Sequence, residues 1–358
     1  MKKKRNRIIW GIILLLALLI GAGAVLAWNN PIFGKRLPQI SVPASASQID
    51  AAMEGSDVNI ENGIENGSET DSTTDTNSTG LQRESTVDSS QTTEEGLPMC
   101  GGPESMNVLV LVIDKQAQAD VIRLVHIDFV GGRVHFTAIP RDFYVPVVDM
   151  VEHGITQGRI NATFGYGEKF NGTGEGIFSL ARNITENFGV TFDRYVVLNK
   201  YKIDKYVDFV GGVDIYLEKP VADDSRFFPA GDVHLDGKAA IDFLSIRYFD
   251  DDFHRIRRQN MFIENFFNKV MNELSITQQM QLAMTMLMDK SIQTDFTAKD
   301  ISPMICLARA IDREKILFIE IPSDFYHPAT TSSGGNVQIP HDTVPPFLQD
   351  VMSGKFEP

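Results

Sequence analysis

The chain has 358 residues, and its 47 acidic side chains outnumber 33 basic ones to give a formal net charge of −14. Neither the whole chain nor its folded part carries the basic enrichment that nucleic acid demands. The acidity gathers in one polar segment, so it does not mark an acidic binding face either.

Residues 1–7 carry five basic side chains and no acidic one, and residues 8–28 run without a charge. At about 1.5 Å per residue the run spans roughly 30 Å, the thickness of a hydrocarbon core. Trp10 and Trp28 stand near its ends, where indole prefers the interface. The basic flank predicts a cytoplasmic N-terminus and an extracytoplasmic remainder. Ala24 to Ala27 offers small residues at cleavage spacing, so a cleaved signal peptide is the alternative. The apolar run, however, exceeds a signal core of about 7–15 residues, which favours an uncleaved single-pass anchor in the cell membrane.

Residues 29–105 read as a linker. Between residues 41 and 96 Ser, Thr, Asn, Gly, Glu and Asp dominate, aromatics are absent, and Arg83 is the one basic residue. Such a segment buries too little apolar surface to offset its chain entropy, so disorder is expected through most of the linker. As a free coil it would give the domain a reach of about 40–45 Å. Cys100 and Cys306 are the only cysteines. One disulfide and two separate thiols both remain open readings.

Residues 106–358 suit one domain. An apolar strand over 107–113 ends at Asp114. Strands over 121–129 and 133–139 meet around Gly131-Gly132, a pair that permits the positive φ of a hairpin turn. Ile177, Leu180, Ala181, Ile184 and Phe188 share one face of a helix over 175–188, with Gly189 as its stop. A strand over 194–198, a helix over 202–209, a turn at Gly211-Gly212 and a strand over 213–217 follow. Helices over 258–274 and 277–290, the second rich in Met, precede a strand over 315–321. The expected fold is an α/β sandwich with a mixed central sheet.

Two groups of charges could carry chemistry. Asp114 ends a strand and Asp120 precedes the next, an arrangement suited to a hard cation, although an Asp at a strand end is commonly a turn residue. Arg141 follows Pro140, Arg159 precedes Ile160-Asn161, and Arg247, Arg255, Arg257 and Arg258 crowd Asp250, Asp251 and Asp252. Guanidinium groups grip phosphate in bidentate fashion, yet spacing alone favours reading the same cluster as a solvated, self-neutralising strip. His254 among them reads as a surface residue. The Met cluster at 280–288 reads as core packing, and the glycines at 172, 174 and 176 read as a loop before a helix.

In order, the chain presents Asp114, Asp120, Ala138-Ile139-Pro140-Arg141-Asp142, Arg159-Ile160-Asn161-Ala162, Gly211-Gly212-Val213-Asp214, Leu235-x-Gly237 with Ala240 and Arg247, and Asp252-Phe253-x-Arg255-x-x-Arg258-Gln259. Together these pieces resemble the LytR-CpsA-Psr family of cell-envelope proteins, over most of residues 106–274. The resemblance implies a Mg²⁺-dependent phosphotransferase that moves a glycan from a polyprenyl pyrophosphate lipid to peptidoglycan. It implies Mg²⁺ held by Asp114 and Asp120, and pyrophosphate held by Arg141, Arg247, Arg255, Arg258 and Gln259. Arg141, Asp120 and Arg255 would be the catalytic set, and the many Phe, Leu and Ile side chains would line a tunnel for the lipid.

The pattern is broken in three places. Gln118 stands where the family usually has an arginine two residues before its second aspartate, and Ser245 replaces the first of two arginines two apart. The loop from Asp114 to Asp120 is also short. Each charged hydrogen bond lost is worth about 1.5–3 kcal/mol, which predicts weakened turnover unless Arg159 or Arg257 compensates. The alternative is a non-catalytic envelope protein that binds or senses polyprenyl phosphate lipids. The family's older description as transcriptional attenuators ranks last, because an exported domain cannot touch DNA.

Overall fold

In the computed structural model the structure describes residues 34–40, 98–246, 252–288 and 292–356. The expected basic end and anchor, residues 1–28, and the polar stretch 41–96 lie outside them. Among the described residues no helix is long and apolar enough to cross a membrane.

The strands come in chain order as β1 (Ser105–Ile113), β2 (Ala119–Asp128), β3 (Arg133–Ala138), β4 (Tyr144–Pro146), β5 (Gln157–Arg159), β6 (Arg194–Asn199), β7 (Val213–Leu217), β8 (Val221–Ala222), β9 (Phe227–Phe228), β10 (Gly231–Leu235), β11 (Ile292–Thr294), β12 (Ile316–Ile319), β13 (Tyr326–Thr330) and β14 (Asn336–Pro340). The helices are α1 (Ala162–Tyr166), α2 (Gly176–Phe188), α3 (Ile203–Phe209), α4 (Gly237–Ser245), α5 (Asp252–Asn272), α6 (Ile276–Met288), α7 (Ala298–Ala310) and α8 (Val344–Met352). Six strands form one sheet in the order β11-β6-β1-β2-β3-β12. β1 runs parallel to β6 and β3 parallel to β12, while the other neighbours are antiparallel. The expected mixed sheet is therefore present.

β1 is apolar on both sides because both sides are covered. Leu109, Leu111, Ile122, Leu124, Tyr195 and Val197 turn to one side and form the main core with Ile177, Leu180, Ile184 and Phe188 of α2 and Leu348 of α8. Val108, Val125 and Ile127 turn to the other side and meet Phe296 and Leu307. A smaller core, built on Val213, Ile215, Leu235, Phe243 and Phe262, joins β7 and β10 to α4 and α5. α2 ends where expected, at Gly189 with φ 69°. At the β2–β3 turn only Gly132 takes a positive φ, of 61°, and the Asp128 carboxylate accepts the Val130 and Gly131 N–H groups.

Some boundaries differ from the sequence reading. α5 starts at Asp252, six residues before position 258, because a helix face holding Arg255 and Gln259 carries no apolar stripe to betray it. The strand expected to 321 stops at Ile319, and Ile321-Pro322 enters a turn that repeats the one after β3. Phe143 N–H donates to the Pro140 carbonyl just as Phe325 N–H donates to that of Pro322. The Phe143 and Tyr326 rings then meet edge to face at 5.2 Å. The segments after β3 and β12 thus share one turn hydrogen bond at the ends of parallel strands.

Residues 34–40 lie against the domain. Buried Leu37 donates its N–H to Asp295, the Lys35 carbonyl accepts from the Tyr195 hydroxyl, and Lys35 pairs with Glu175. Cys100 and Cys306, 206 residues apart, are joined in a disulfide.

Candidate functional site

The site forms where β1, β2 and β6 end beside the first turns of α5. β1 and β2 are joined by a loop that Asp114 shapes: one of its carboxylate oxygens accepts the N–H groups of Gln116 and Gln118, each at 2.9 Å. Ala117 sits at φ 56°, and α1 passes so near that a side chain at Gly165 would meet the Ala117 carbonyl. The short loop therefore has little room to move.

Asp120 opens β2, buried to 9% exposure. Its two oxygens hold two different cations. Arg141 Nη1 lies 2.7 Å from Oδ1, and Lys200 Nζ lies 2.9 Å from Oδ2. Arg141 also faces Asp142 at 3.4 Å, and Asp142 in turn faces Arg159 at 3.4 Å. The Arg141 carbonyl accepts the N–H of Asn161, whose own carbonyl accepts the N–H of Ala119, so the Pro140–Asp142 turn is tied to the start of β2.

From α5, buried Arg255 and Gln259 face the same cavity, followed along one helix stripe by Phe262, Ile263 and Phe266. Spacings of three and four residues stack these side chains on one face. Gln259 Oε1 accepts from Arg123, which is itself buried in β2. Arg258 lies beside them, buried, and donates to the Ile246 carbonyl at 2.8 Å. The cavity measures about 270 Å³; Asp120, Arg123, Lys200 and Arg255 are the charged residues of its wall, which is otherwise mainly apolar. Val110, Val125, Phe136 and Ile263 also line a second cavity of about 260 Å³, which continues under α5 toward Phe267, Phe296, Leu307 and Phe318. An apolar cavity with cations in its wall, adjoining a second apolar cavity, suits an amphiphile with an anionic head.

The structure thus brings together Asp120, Arg141, Arg255 and Gln259 of the expected set, with Arg258 alongside. Arg247 lies outside the described residues. Neither proposed substitute for the missing arginines lines the cavity. Arg159 donates to the Asn336 carbonyl and pairs with Asp142, and exposed Arg257 pairs with Glu320 at 3.1 Å. Lys200 and Arg123 supply cations there instead. Arg123 left a sequence signal, since it is a guanidinium in an apolar strand on the same face as Val121 and Val125. Lys200 left none, because only the parallel pairing of β1 with β6 carries it to Asp120. His254 is exposed on α5. The loop at glycines 172–176 closes on the chain's own Glu168, whose carboxylate accepts the Gly174 and Gly176 N–H groups, which leaves no phosphate cradle.

The donor set does not suit the expected metal. Asp114 spends one oxygen on its loop, and both oxygens of Asp120 already carry cations. Among the described residues no three His, Cys, Asp or Glu side chains gather around one point. As arranged, the two aspartates do not offer Mg²⁺ an open pair of oxygens.

A model of the LytR_cpsA_psr family matches residues 60–343. The polyisoprenyl-teichoic acid–peptidoglycan teichoic acid transferase TagU of Oceanobacillus iheyensis is 24% identical over 302 residues, covering 82% of this chain and 78% of its own. Its Bacillus cereus counterpart is 24% identical over 237 residues, or 62% of this chain and 70% of its own. The fold is shared with the crystal structure of Bacillus subtilis TagV, at TM-score 0.57 and 18% identity over 71% of this chain and 99% of that one. It is shared too with a structure of TagT bound to LIIa-WTA, at TM-score 0.55 and 19% identity over 70% of this chain and 91% of that one.

Proposed function

Since the chain belongs to the LytR_cpsA_psr family, we propose that it is a membrane-anchored transferase that moves a glycan from a polyprenyl pyrophosphate lipid onto peptidoglycan. The observation that carries this reading is the cavity: Arg123, Lys200 and Arg255 stand in its otherwise mainly apolar wall, and a second apolar cavity under α5 shares Val110, Val125, Phe136 and Ile263 with it. The relatives' names, which specify polyisoprenyl-linked teichoic acid and peptidoglycan, support the same chemistry.

In this reading the prenyl tail lies between the sheet and α5, and the pyrophosphate meets Arg141, Lys200, Arg255 and Arg123. An acceptor hydroxyl attacks the phosphorus that bears the glycan, the bond between the two phosphates breaks, and polyprenyl phosphate leaves while the hydroxyl proton passes to solvent. Phosphoryl transfer asks the protein mainly for position and for charge at the developing anion. Asp120 orients Arg141 and Lys200 through its two oxygens.

The disulfide fits an oxidising, extracytoplasmic compartment. Docking of residues 34–40 bears on height. If residues 8–28 span the membrane, only five residues lie between Trp28 and Gly34, and the six steps across them reach about 20 Å at full stretch. The domain would then sit near the leaflet that carries the lipid donor, closer than a free linker would require.

The test is full-length protein in detergent with polyprenyl pyrophosphate-linked glycan and peptidoglycan, read by release of polyprenyl phosphate. Absence of release, under conditions where a TagU enzyme releases it, would remove the reading. Ser245 at the cavity wall, where the family pattern has arginine, favours the second reading of a lipid-binding protein without turnover. That reading predicts donor binding with no release.

A further inference from the structure

We propose that Lys200 acts as a built-in counter-cation at Asp120, occupying the place that a divalent ion would need, so that this chain handles its anionic ligand with an ammonium group and binds divalent cations weakly. Its role toward the ligand rests on the reading of the cavity as a pyrophosphate site. Its role toward metals does not.

Four observations converge. Lys200 Nζ is 2.9 Å from Asp120 Oδ2, and its side chain is only 18% exposed, so the ammonium is held in the cavity wall. Arg141 takes the other oxygen of the same carboxylate. Asp114, the second aspartate of the pair, spends an oxygen on two backbone N–H groups of its own loop. The backbone on either side is pinned. β1 and β6 are in register up to Ile113 and Asn199, and the Asn199 side chain caps the turn that contains Lys200 by accepting the Tyr201 N–H.

A hard divalent ion would bind Asp120 at about 2.0–2.1 Å, inside the space the ammonium uses. Two cations cannot share that oxygen in a half-buried cavity without strong repulsion. Lys200 must therefore move before a metal enters. An anionic headgroup needs no such exchange, because the ammonium retains two further N–H donors for phosphate oxygens while still bound to Asp120.

The experiment is a titration of full-length protein in detergent with Mn²⁺, following loss of the free-ion EPR signal, together with calorimetric binding of inorganic pyrophosphate in a divalent-free buffer. Lys200→Met keeps an unbranched stem and removes the charge. Circular dichroism and melting temperature confirm that each variant is folded. The expected result is Mn²⁺ binding at least about tenfold tighter in K200M than in the original chain, with pyrophosphate binding about tenfold weaker. Asp120→Asn added to K200M should abolish the gain in Mn²⁺ affinity. Equal Mn²⁺ affinity in the original chain and a folded K200M would overturn the proposal. So would undiminished pyrophosphate binding in K200M. Neither titration contains a glycan donor, so these failures leave the transfer reading standing, and a failed transfer assay leaves the Mn²⁺ result standing.

Discussion

Replacing Ile263 by Trp should close the passage between the two cavities. Ile263 sits on α5 where both cavities meet, opposite Val110, Val125 and Phe136. A tail confined to the first cavity loses burial among Phe267, Phe296 and Phe318. One five-carbon isoprene unit kept in water, at about 0.8 kcal/mol per methylene, costs about 3–4 kcal/mol, or about two to three decades in affinity. The assay is the Kd of full-length protein in detergent for polyprenyl phosphates of increasing length. In the original chain affinity should climb until both cavities are filled, and in I263W it should level off earlier, with short chains unaffected. Overpacking itself costs about 1–3 kcal/mol of stability, so the melting temperature is recorded with each Kd. Identical length dependence in a folded I263W would refute the continuous passage.

Three further outcomes are expected. Arg257→Ala should cost less than about 1 kcal/mol of stability in urea melts and leave pyrophosphate affinity unchanged, because its partner Glu320 is met on the exposed side of α5. Asp295→Ala should strip the Leu37 and Tyr195 N–H groups of their acceptor, at about 1–3 kcal/mol each. It should also speed tryptic cleavage at Lys35 and Arg36, and an unchanged cleavage rate would argue against the docked segment. Finally, burial holds the imidazoles of His126 and His135 below their ordinary range, with His135 adding a like charge to His126. The unfolded chain binds those protons first, so stability should be fully present above pH ~6.5 and fall as pH drops below it. A melting temperature that stays constant between pH 7.5 and 5 would contradict this.

The alternation and the turn residues made most of the sheet legible. β1, β2 and β3 were readable because buried strands are continuous runs of branched side chains, and Asp114, Gly132 and Gly189 mark real ends of elements. α7 was not readable. It carries Pro303 inside and owes its start to Asp300, which reaches back to the N–H of Thr297 and is gripped by Arg194 from 106 residues away. The short pairs β4–β5 and β13–β14 escaped as well, since three to five residues give too little periodicity to detect.

The site divides along the same line. Sequence alone determined that an arginine-rich motif, two aspartates and one apolar domain belong together, because the order and spacing of Asp120, Arg141, Arg255 and Gln259 are properties of the chain. Tertiary structure decided which cations reach Asp120. Residues 80 positions apart meet there when β6 adds beside β1 in parallel, and that pairing puts Lys200, not Arg159 or Arg257, against the carboxylate. The physical reason is range. Propensity and periodicity act over a turn or a strand, whereas a carboxylate's partners are set by whichever elements burial forces together.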